Sequence, residues 1–384
     1  MTKTVPNLGF ETDRQGAGLD RSSAATGRLQ PTPQSRDGGL VMRQAEPLNL
    51  EGPFRALHGR VTPTEQFYVR SHFPVPEIEA GSFRLAVDGA VEAALSLTID
   101  DLLALPAMTR AATLECAGNG RVFLTPAVPG VQWQLGAVGN AEWTGARLGD
   151  VLRMAGVRAA AQEIVLEGAD RGTVKGEGAE LGAIAYARGV PVEEAEQVLL
   201  AYAMNGEPLT REHGFPLRAV VPGHYAMAAV KWLTRIHVAT EGFQGYFQTL
   251  DYAYWEEAAG RRVRRPLRGM ALKSAIARPE AGDEVTAGSV VTIAGAAWSG
   301  GPAVERVDVS MDGGATWSAA EWLDGAQAGV WRRWQLAWRV PGAGDYVLVS
   351  RATDAEGRVQ RSAHDQRFGT YVIDHMVPVA VTAR

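Results

Sequence analysis

Apolar residues are scattered without period over the first 45 positions and fall into short runs from Phe67 onward. Phe67-Tyr68-Val69 and Phe83–Val87 read as strands separated by a turn region carrying Pro74 and Pro76. Thr98 followed by Asp101 is a capping-box-like helix start, and Pro106 closes that helix. Leu148, Val151 and Leu152 have helical spacing, with Asp150 in the first turn and Gly156 as the stop. Val198–Ala203 is a continuous apolar run closed by the tight-turn pair Asn205-Gly206. Phe215–Val221 and Val230–Val238 read as further buried strands. Helices and strands mixed without regular βα alternation predict an α+β domain over residues 46–262.

Beyond residue 268 the texture is all-β. Val290–Ala294, Val307–Val309, Trp334–Trp338 and Tyr346–Val349 are short apolar stretches divided by the turns Ser299-Gly-Gly, Asp312-Gly-Gly and Pro341-Gly. That spacing predicts an immunoglobulin-like sandwich over 268–384, without the paired cysteines of antibody domains. Between the two lies RRVRRPLR at 261–268, five arginines in eight residues. It reads as a solvated linker, with an anion-binding or inter-domain clamp as the functional alternative.

The length of 384 residues suits two domains, and the Gly-, Ser-, Thr-, Gln- and Pro-rich stretch 1–45 reads as an N-terminal tail. The start, MTKTVPNLGFETDRQGAG, has no apolar segment between its charges, and no run approaches the roughly 18 apolar residues of a bilayer span. The expectation is a cytoplasmic protein without a membrane partner. A net charge of −5 argues against nucleic acid as partner, because phosphate binding needs a basic face. The single cysteine, Cys116, excludes an internal disulfide. It also excludes zinc clusters, cysteine-ligated iron–sulfur centres and CxxCH haem, which need several thiols.

Cys116 sits in Thr113-Leu114-Glu115-Cys116-Ala117-Gly118-Asn119-Gly120-Arg121, a strand-like run that breaks into small, flexible residues and an arginine. Such a loop lets backbone approach a bulky group closely, and a nearby arginine favours thiolate. A lone buried cysteine is often mere packing. A nucleophile would need a base, for which His72, His213, His224 and His237 are available, but no local pattern of a cysteine hydrolase is present. A metal ligand would need a soft metal whose other ligands come from elsewhere, as an organic dithiolene supplies them. The residues alone leave these readings open.

TLECAGNGR resembles the cysteine loop of the sulfite oxidase family of molybdopterin enzymes. FYVRSHFPVP (67–76), GVQWQLGAV (130–138), EWTGARLGDVL (142–152), AYAMNGEPLTREHGFPLRAVVPG (201–223), VKWLTRI (230–236) and GYFQTLDY (245–252) are similar to that family in the same order. So are SAIARPEAGDEVTAGSVVTIAGAAWSGG (274–301) and RVDVSMDGGATW (306–317), which resemble its dimerisation domain. The resemblance implies molybdenum and molybdopterin as cofactors, with Cys116 as thiolate ligand to the metal. It implies Arg70 and Arg121 as arginines for the substrate anion, Trp133 as a pocket tryptophan and Tyr252 as the tyrosine beside the metal. His72, Asp170, His213, Arg218 and Lys231 would contact the pterin and its phosphate. A homodimer and an external electron acceptor follow from the same resemblance, since the chain carries no haem segment.

Departures from the family pattern bear on the substrate. Gly120 stands where animal relatives carry an arginine, and Ala229 where they carry a histidine. The position of a further pocket arginine falls at Gln327, with Arg332 and Arg333 close by. The resemblance therefore implies sulfite oxidation to sulfate, with reduction of nitrate or a sulfoxide on the same cofactor as the alternative. A cofactor-free binding protein is the rival from another class.

Overall fold

The chain is described from a computed structural model, which covers residues 29–33, 39–57, 59–176 and 179–384. Most of the expected tail lies outside the described residues. Within it, Leu29 is buried and Thr32 donates from its backbone N–H to the Leu209 carbonyl at 3.2 Å, so this piece is draped on the fold.

The architecture is mainly β with few helices. The Thr98 capping box forms as expected: its hydroxyl accepts from the Asp101 N–H at 3.1 Å, and the Asp101 carboxylate accepts from the Thr98 N–H at 2.8 Å. The helix that follows, Ile99–Ala104, has only six residues and stops ahead of Pro106. The second helix, Leu148–Ala155, ends at Gly156, whose φ of +69° suits a residue without Cβ. These short helices fall below what an α+β class implies. The difference lies in strands of low apolar content, above all the antiparallel pair Glu163–Gly176 and Ala179–Pro191. Their exposed positions break the apolar runs that betray a strand in sequence.

Two five-stranded sheets organise the first part of the chain. One contains Ala107–Glu115, Val138–Arg147, Leu199–Met204, Glu207–Pro208 and Arg218–Val220, all antiparallel. The other contains Leu95–Leu97, Leu85–Gly89, Leu233–Ala239, Glu163–Gly176 and Ala179–Pro191, with its one parallel pairing between Leu85–Gly89 and Leu233–Ala239. Leu114, Trp133, Trp143, Leu200, Leu217 and Ile236 are all buried in one shared core. Val69–Arg70 joins a small sheet with Val41–Gln44 and Asn49–Glu51.

The arginine-rich stretch is not a linker. Arg261–Pro266 is a strand paired antiparallel with Ala253–Ala258, and Arg262 and Arg264 flank the exposed Trp255 ring at 5.0 and 5.1 Å. Alternation around a turn at Ala259-Gly260 makes this a two-stranded ribbon, with the charges on its solvated faces.

In the last part of the chain a four-stranded sheet (Lys273–Arg278, Val290–Trp298, Arg332–Arg339, Glu321–Trp322) and a five-stranded sheet share a second core. Ile293, Trp334 and Trp338 from the first sheet meet Val307, Val309, Leu348 and Val381 from the second. The chain then runs back, and the Val372 N–H donates to the Ala117 carbonyl at 2.8 Å, next to Cys116.

Candidate active site

Sheet edges and strand ends converge on one cleft with about 640 Å³ of empty space, part of it open to solvent. Cys116 is the residue at which the strand Ala107–Glu115 ends. Arg70 ends its strand, and His72 follows two residues on. Asp170 lies within Glu163–Gly176, Arg218 begins Arg218–Val220, and Lys231 just precedes Leu233–Ala239. Between the last two elements, Trp232 has φ +51°, an uncommon conformation for a bulky residue, and its indole N–H donates to the Arg211 carbonyl at 2.8 Å. Tyr252 follows the single wide helical turn Phe247–Asp251.

Eight of the ten expected site residues line this cleft: Arg70, His72, Cys116, Asp170, His213, Arg218, Lys231 and Tyr252. Arg121 and Trp133 do not. The Arg121 guanidinium donates to the Val131 carbonyl at 2.7 Å and the Thr370 carbonyl at 3.1 Å, and lies over the Tyr371 ring. It packs where Gly118 and Gly130 leave room, since a Cβ at either would lie within 3.0 Å of it. Trp133 is fully buried against Tyr68. Gln327, Arg332 and Arg333 lie elsewhere: Gln327 accepts from Arg60, Arg332 stacks on Trp322 at 3.8 Å, and Arg333 pairs with Asp324 at 2.9 Å.

Three residues not foreseen in the sequence complete the surroundings. Tyr186 stacks on His72 with ring centres 4.4 Å apart. Arg188 is buried beneath Tyr252, its guanidinium carbon 5.9 Å from that ring centre. Tyr371 packs on Tyr252 at 4.8 Å and donates its hydroxyl to Asp251 at 2.6 Å. No local motif marks these residues, because their partners lie up to about 250 positions away in the chain.

The cleft is strongly cationic. Among the described residues, Arg70, Arg218 and Lys231 form no ion pair; their hydrogen-bond acceptors are neutral oxygens. Lys231 donates to the Glu212 carbonyl at 2.7 Å and the Ser71 hydroxyl at 3.2 Å. Burial lowers the Lys231 pKa, helped by the Arg218 charge, and burial raises that of Asp170 against the pull of Lys231. Burial opposes the charge on Arg70 as well, yet Tyr252 and Cys116 hold its pKa above the ordinary value. Arg218 is drawn down to about 10 by burial. His72 is held neutral by burial and by Arg70, and its Nε2 is 2.6 Å from the Tyr252 hydroxyl.

His213 carries a pH signature. Burial, followed by the charges of Lys231 and Arg218, lowers its pKa from 6.5 to about 3. Between those values the unfolded chain binds a proton that the fold excludes, so this residue favours folding above pH 6.5 and loses that contribution as pH falls toward 3. In the cofactor-free protein, the melting-temperature gap between wild type and His213→Gln is expected to change across this window and to stay constant above it. Parallel curves from pH 7 to 3 would refute the assignment.

The donor set fits a bulky polyanion that also offers hydrogen bonds. Asp170 Oδ1 and His213 Nε2 are buried in the cleft wall without a hydrogen-bond partner, in a protein interior where such atoms are costly. No group of three or more His, Cys, Asp or Glu side chains among the described residues is placed to hold a metal ion by itself. A metal at Cys116 therefore takes its remaining ligands from a non-protein group. This is a cofactor-binding protein whose one thiol faces a pocket of unpaired cations.

Comparisons with known proteins agree. Residues 72–247 match the oxidoreductase molybdopterin binding domain, and residues 264–367 match the Mo-co oxidoreductase dimerisation domain. The chain is 39% identical over 347 residues to mitochondrial sulfite oxidase of Homo sapiens, covering 85% of this chain and 62% of that protein. It is 37% identical over 301 residues to sulfite oxidase of Arabidopsis thaliana, covering 74% and 76% respectively. The sulfane dehydrogenase SoxCD from Paracoccus pantotrophus superposes with a TM-score of 0.76 at 29% identity, covering 97% of this chain and 92% of that one. The chain belongs to the sulfite oxidase family, and its cofactor is the family's molybdenum cofactor. It spans under two thirds of the length of the mammalian relatives. No helix among the described residues is long and apolar enough to cross a membrane.

Proposed function

We propose that this chain is a molybdenum-dependent oxidoreductase that oxidises sulfite to sulfate and passes the electrons to an external acceptor. The observation that carries the proposal is the meeting of the Cys116 thiol in one cleft with three cations without ion-pair partners, Arg218 buried and Arg70 and Lys231 half-buried. Cys116 would hold the metal through Sγ. His213, Arg218, Lys231 and Asp170 would hold the pterin and its phosphate, which would supply the charge and the hydrogen-bond partners these buried groups lack. When bound, the cofactor supplies oxygen-atom transfer and two-electron chemistry.

The chain's own residues bind, orient and move protons. Arg70 presents a fixed fork of donors to a pyramidal oxyanion, and burial strengthens that attraction. The Tyr252 hydroxyl, bonded to neutral His72, provides a place to hold a proton beside the reacting atoms. Arg121 contributes from behind the wall, by fixing Thr370 and Tyr371 against Tyr252. Trp133 acts as packing under the cysteine loop. Domains over 46–262 and 268–384, the second an immunoglobulin-like sandwich mediating a homodimer, complete the reading; sedimentation velocity reads the oligomer directly.

The withdrawal of Arg121 onto backbone carbonyls leaves fewer charges at the substrate than two cleft arginines would. That feature favours, as the second reading, a reductase of nitrate or a sulfoxide. Steady-state turnover of metal-replete protein with sulfite and an artificial acceptor is expected to be rapid. Absence of sulfite-dependent turnover, with nitrate or sulfoxide reduction in its place, would select the reductase.

A further inference from the structure

Glu115, next to the proposed metal ligand, is a buried carboxylate with 2% of its surface exposed. Its first partner is Lys273 from the second part of the chain, whose Nζ donates to Glu115 Oε1 at 3.0 Å and to the Asn119 carbonyl at 3.1 Å. Lys273 is itself only 2% exposed. Trp298, also from the second part, donates its indole N–H to Glu115 Oε2 at 2.8 Å. Asn119 closes the set: its amide nitrogen donates to Glu115 Oε1 at 3.1 Å and its amide oxygen accepts from the Ala137 N–H at 3.0 Å. The Asn119 N–H in turn donates to the Cys116 carbonyl at 2.9 Å.

An ion pair this deep gives up the hydration of both ions before its attraction is counted, and a well-packed apolar pair of like volume would stabilise the fold as well or better. Its retention is explained by geometry. Both oxygens of Glu115 are tied to groups on two strands of the second sheet system, Lys273–Arg278 and Val290–Trp298, while Lys273 grips the loop at Asn119. Gly120 fits the same seam: at φ +95° it passes within contact of Ile373, where a Cβ would lie 3.1 Å from that side chain. The cysteine loop is thus clamped at both ends by the part of the chain that does not itself line the cleft.

We infer that Lys273, Glu115 and Trp298 are positioning residues that set where the Cys116 thiol is presented, so that the second domain completes the cofactor site from behind. The inference extends the cofactor reading of Cys116 but does not depend on which substrate is turned over. Because the chain has no other cysteine, alkylation by iodoacetamide reports on Cys116 alone.

In the cofactor-free full-length protein, Lys273→Met leaves Glu115 unpaired and is expected to raise the alkylation rate about tenfold or more, and to lower molybdenum retention of loaded protein by a similar factor. Glu115→Gln/Lys273→Met removes both charges and is expected to recover much of the wild-type rate. Val309→Ala, in the second core and away from the loop, serves as the control: it is expected to lower the melting temperature and leave alkylation unchanged. Should Lys273→Met fail to fold, Trp298→Phe, which keeps the ring and removes one donor, is expected to give a smaller rise. Alkylation unchanged in Lys273→Met, or in Trp298→Phe where that variant must decide, or raised equally by Val309→Ala, overturns the inference. Wild-type protein without sulfite turnover would leave it standing and sink only the proposed function.

Discussion

Replacement of Cys116 by serine is expected to reduce turnover about a thousandfold or more, roughly 4 kcal/mol in barrier height, with the fold retained. The backbone at this position is held independently of the sulfur: the Cys116 N–H donates to the Ala137 carbonyl at 2.9 Å, and the Cys116 carbonyl accepts from Asn119. Serine is slightly smaller and fills nearly the same space, so its cost is that of a buried hydroxyl, about 1–3 kcal/mol if it finds no partner. What it cannot do is offer a soft sulfur donor to a metal. Far-ultraviolet circular dichroism and thermal unfolding check the fold, and elemental analysis checks molybdenum alongside turnover. A serine variant that keeps more than about one per cent of wild-type turnover would contradict the ligand assignment.

Arg70→Met is expected to lower kcat/KM by 10²–10³, the range typical for loss of one preorganised donor to a developing charge. Arg70 is tethered to Asn49 Oδ1 at 3.4 Å and to the Ser71 carbonyl, so its guanidinium is aimed before substrate arrives. Arg218, the other arginine lining the cleft, donates to the His213 and Ala229 carbonyls, and Arg121, turned onto backbone carbonyls, is not placed to substitute for Arg70. Arg70→Lys keeps the charge but loses the planar fork, and is expected to recover only part of the loss. Molybdenum content is expected to be unchanged in both variants, which separates substrate binding from cofactor binding. A loss below about tenfold in Arg70→Met would remove Arg70 from the substrate site.

The cysteine loop was legible because its signal is local: a strand, a sulfur, then glycines and an asparagine within nine residues. The strand ends that carry Arg70, Arg218 and Lys231 were legible for the same reason, as apolar runs beside a charged residue. Directions of side chains were not. Arg121 lies five residues beyond Cys116, yet Gly118 and Gly130 let its guanidinium turn away to the carbonyls of Val131 and Thr370. Tyr371 and Asp251 meet across 120 positions, and Glu115 and Lys273 across 158. Each of these pairs owes its meeting to chain topology, which no window of neighbouring residues encodes. The strand pair Glu163–Gly176 and Ala179–Pro191 stays hidden because its far end is exposed and its buried end carries Glu163, Asp170 and Arg188, so no clean apolar run marks it. The arginine-rich ribbon was misread on composition: in a two-stranded ribbon with both faces wet, a charge run and a strand are the same object.

The return of residues 370–372 to the cysteine loop sets an order of events during synthesis. A chain is made N-terminal end first. The Val372 N–H that caps Ala117, and the Thr370 carbonyl that receives Arg121, are joined about 250 residues after the cysteine loop. Lys273 and Trp298 also arrive long after Cys116 has left the ribosome. The wall around the thiol therefore stays unfinished until residues 370–372 have been made. The finished cysteine loop is thus a product of the chain made through residue 372, and not of the sheet that carries Cys116 alone.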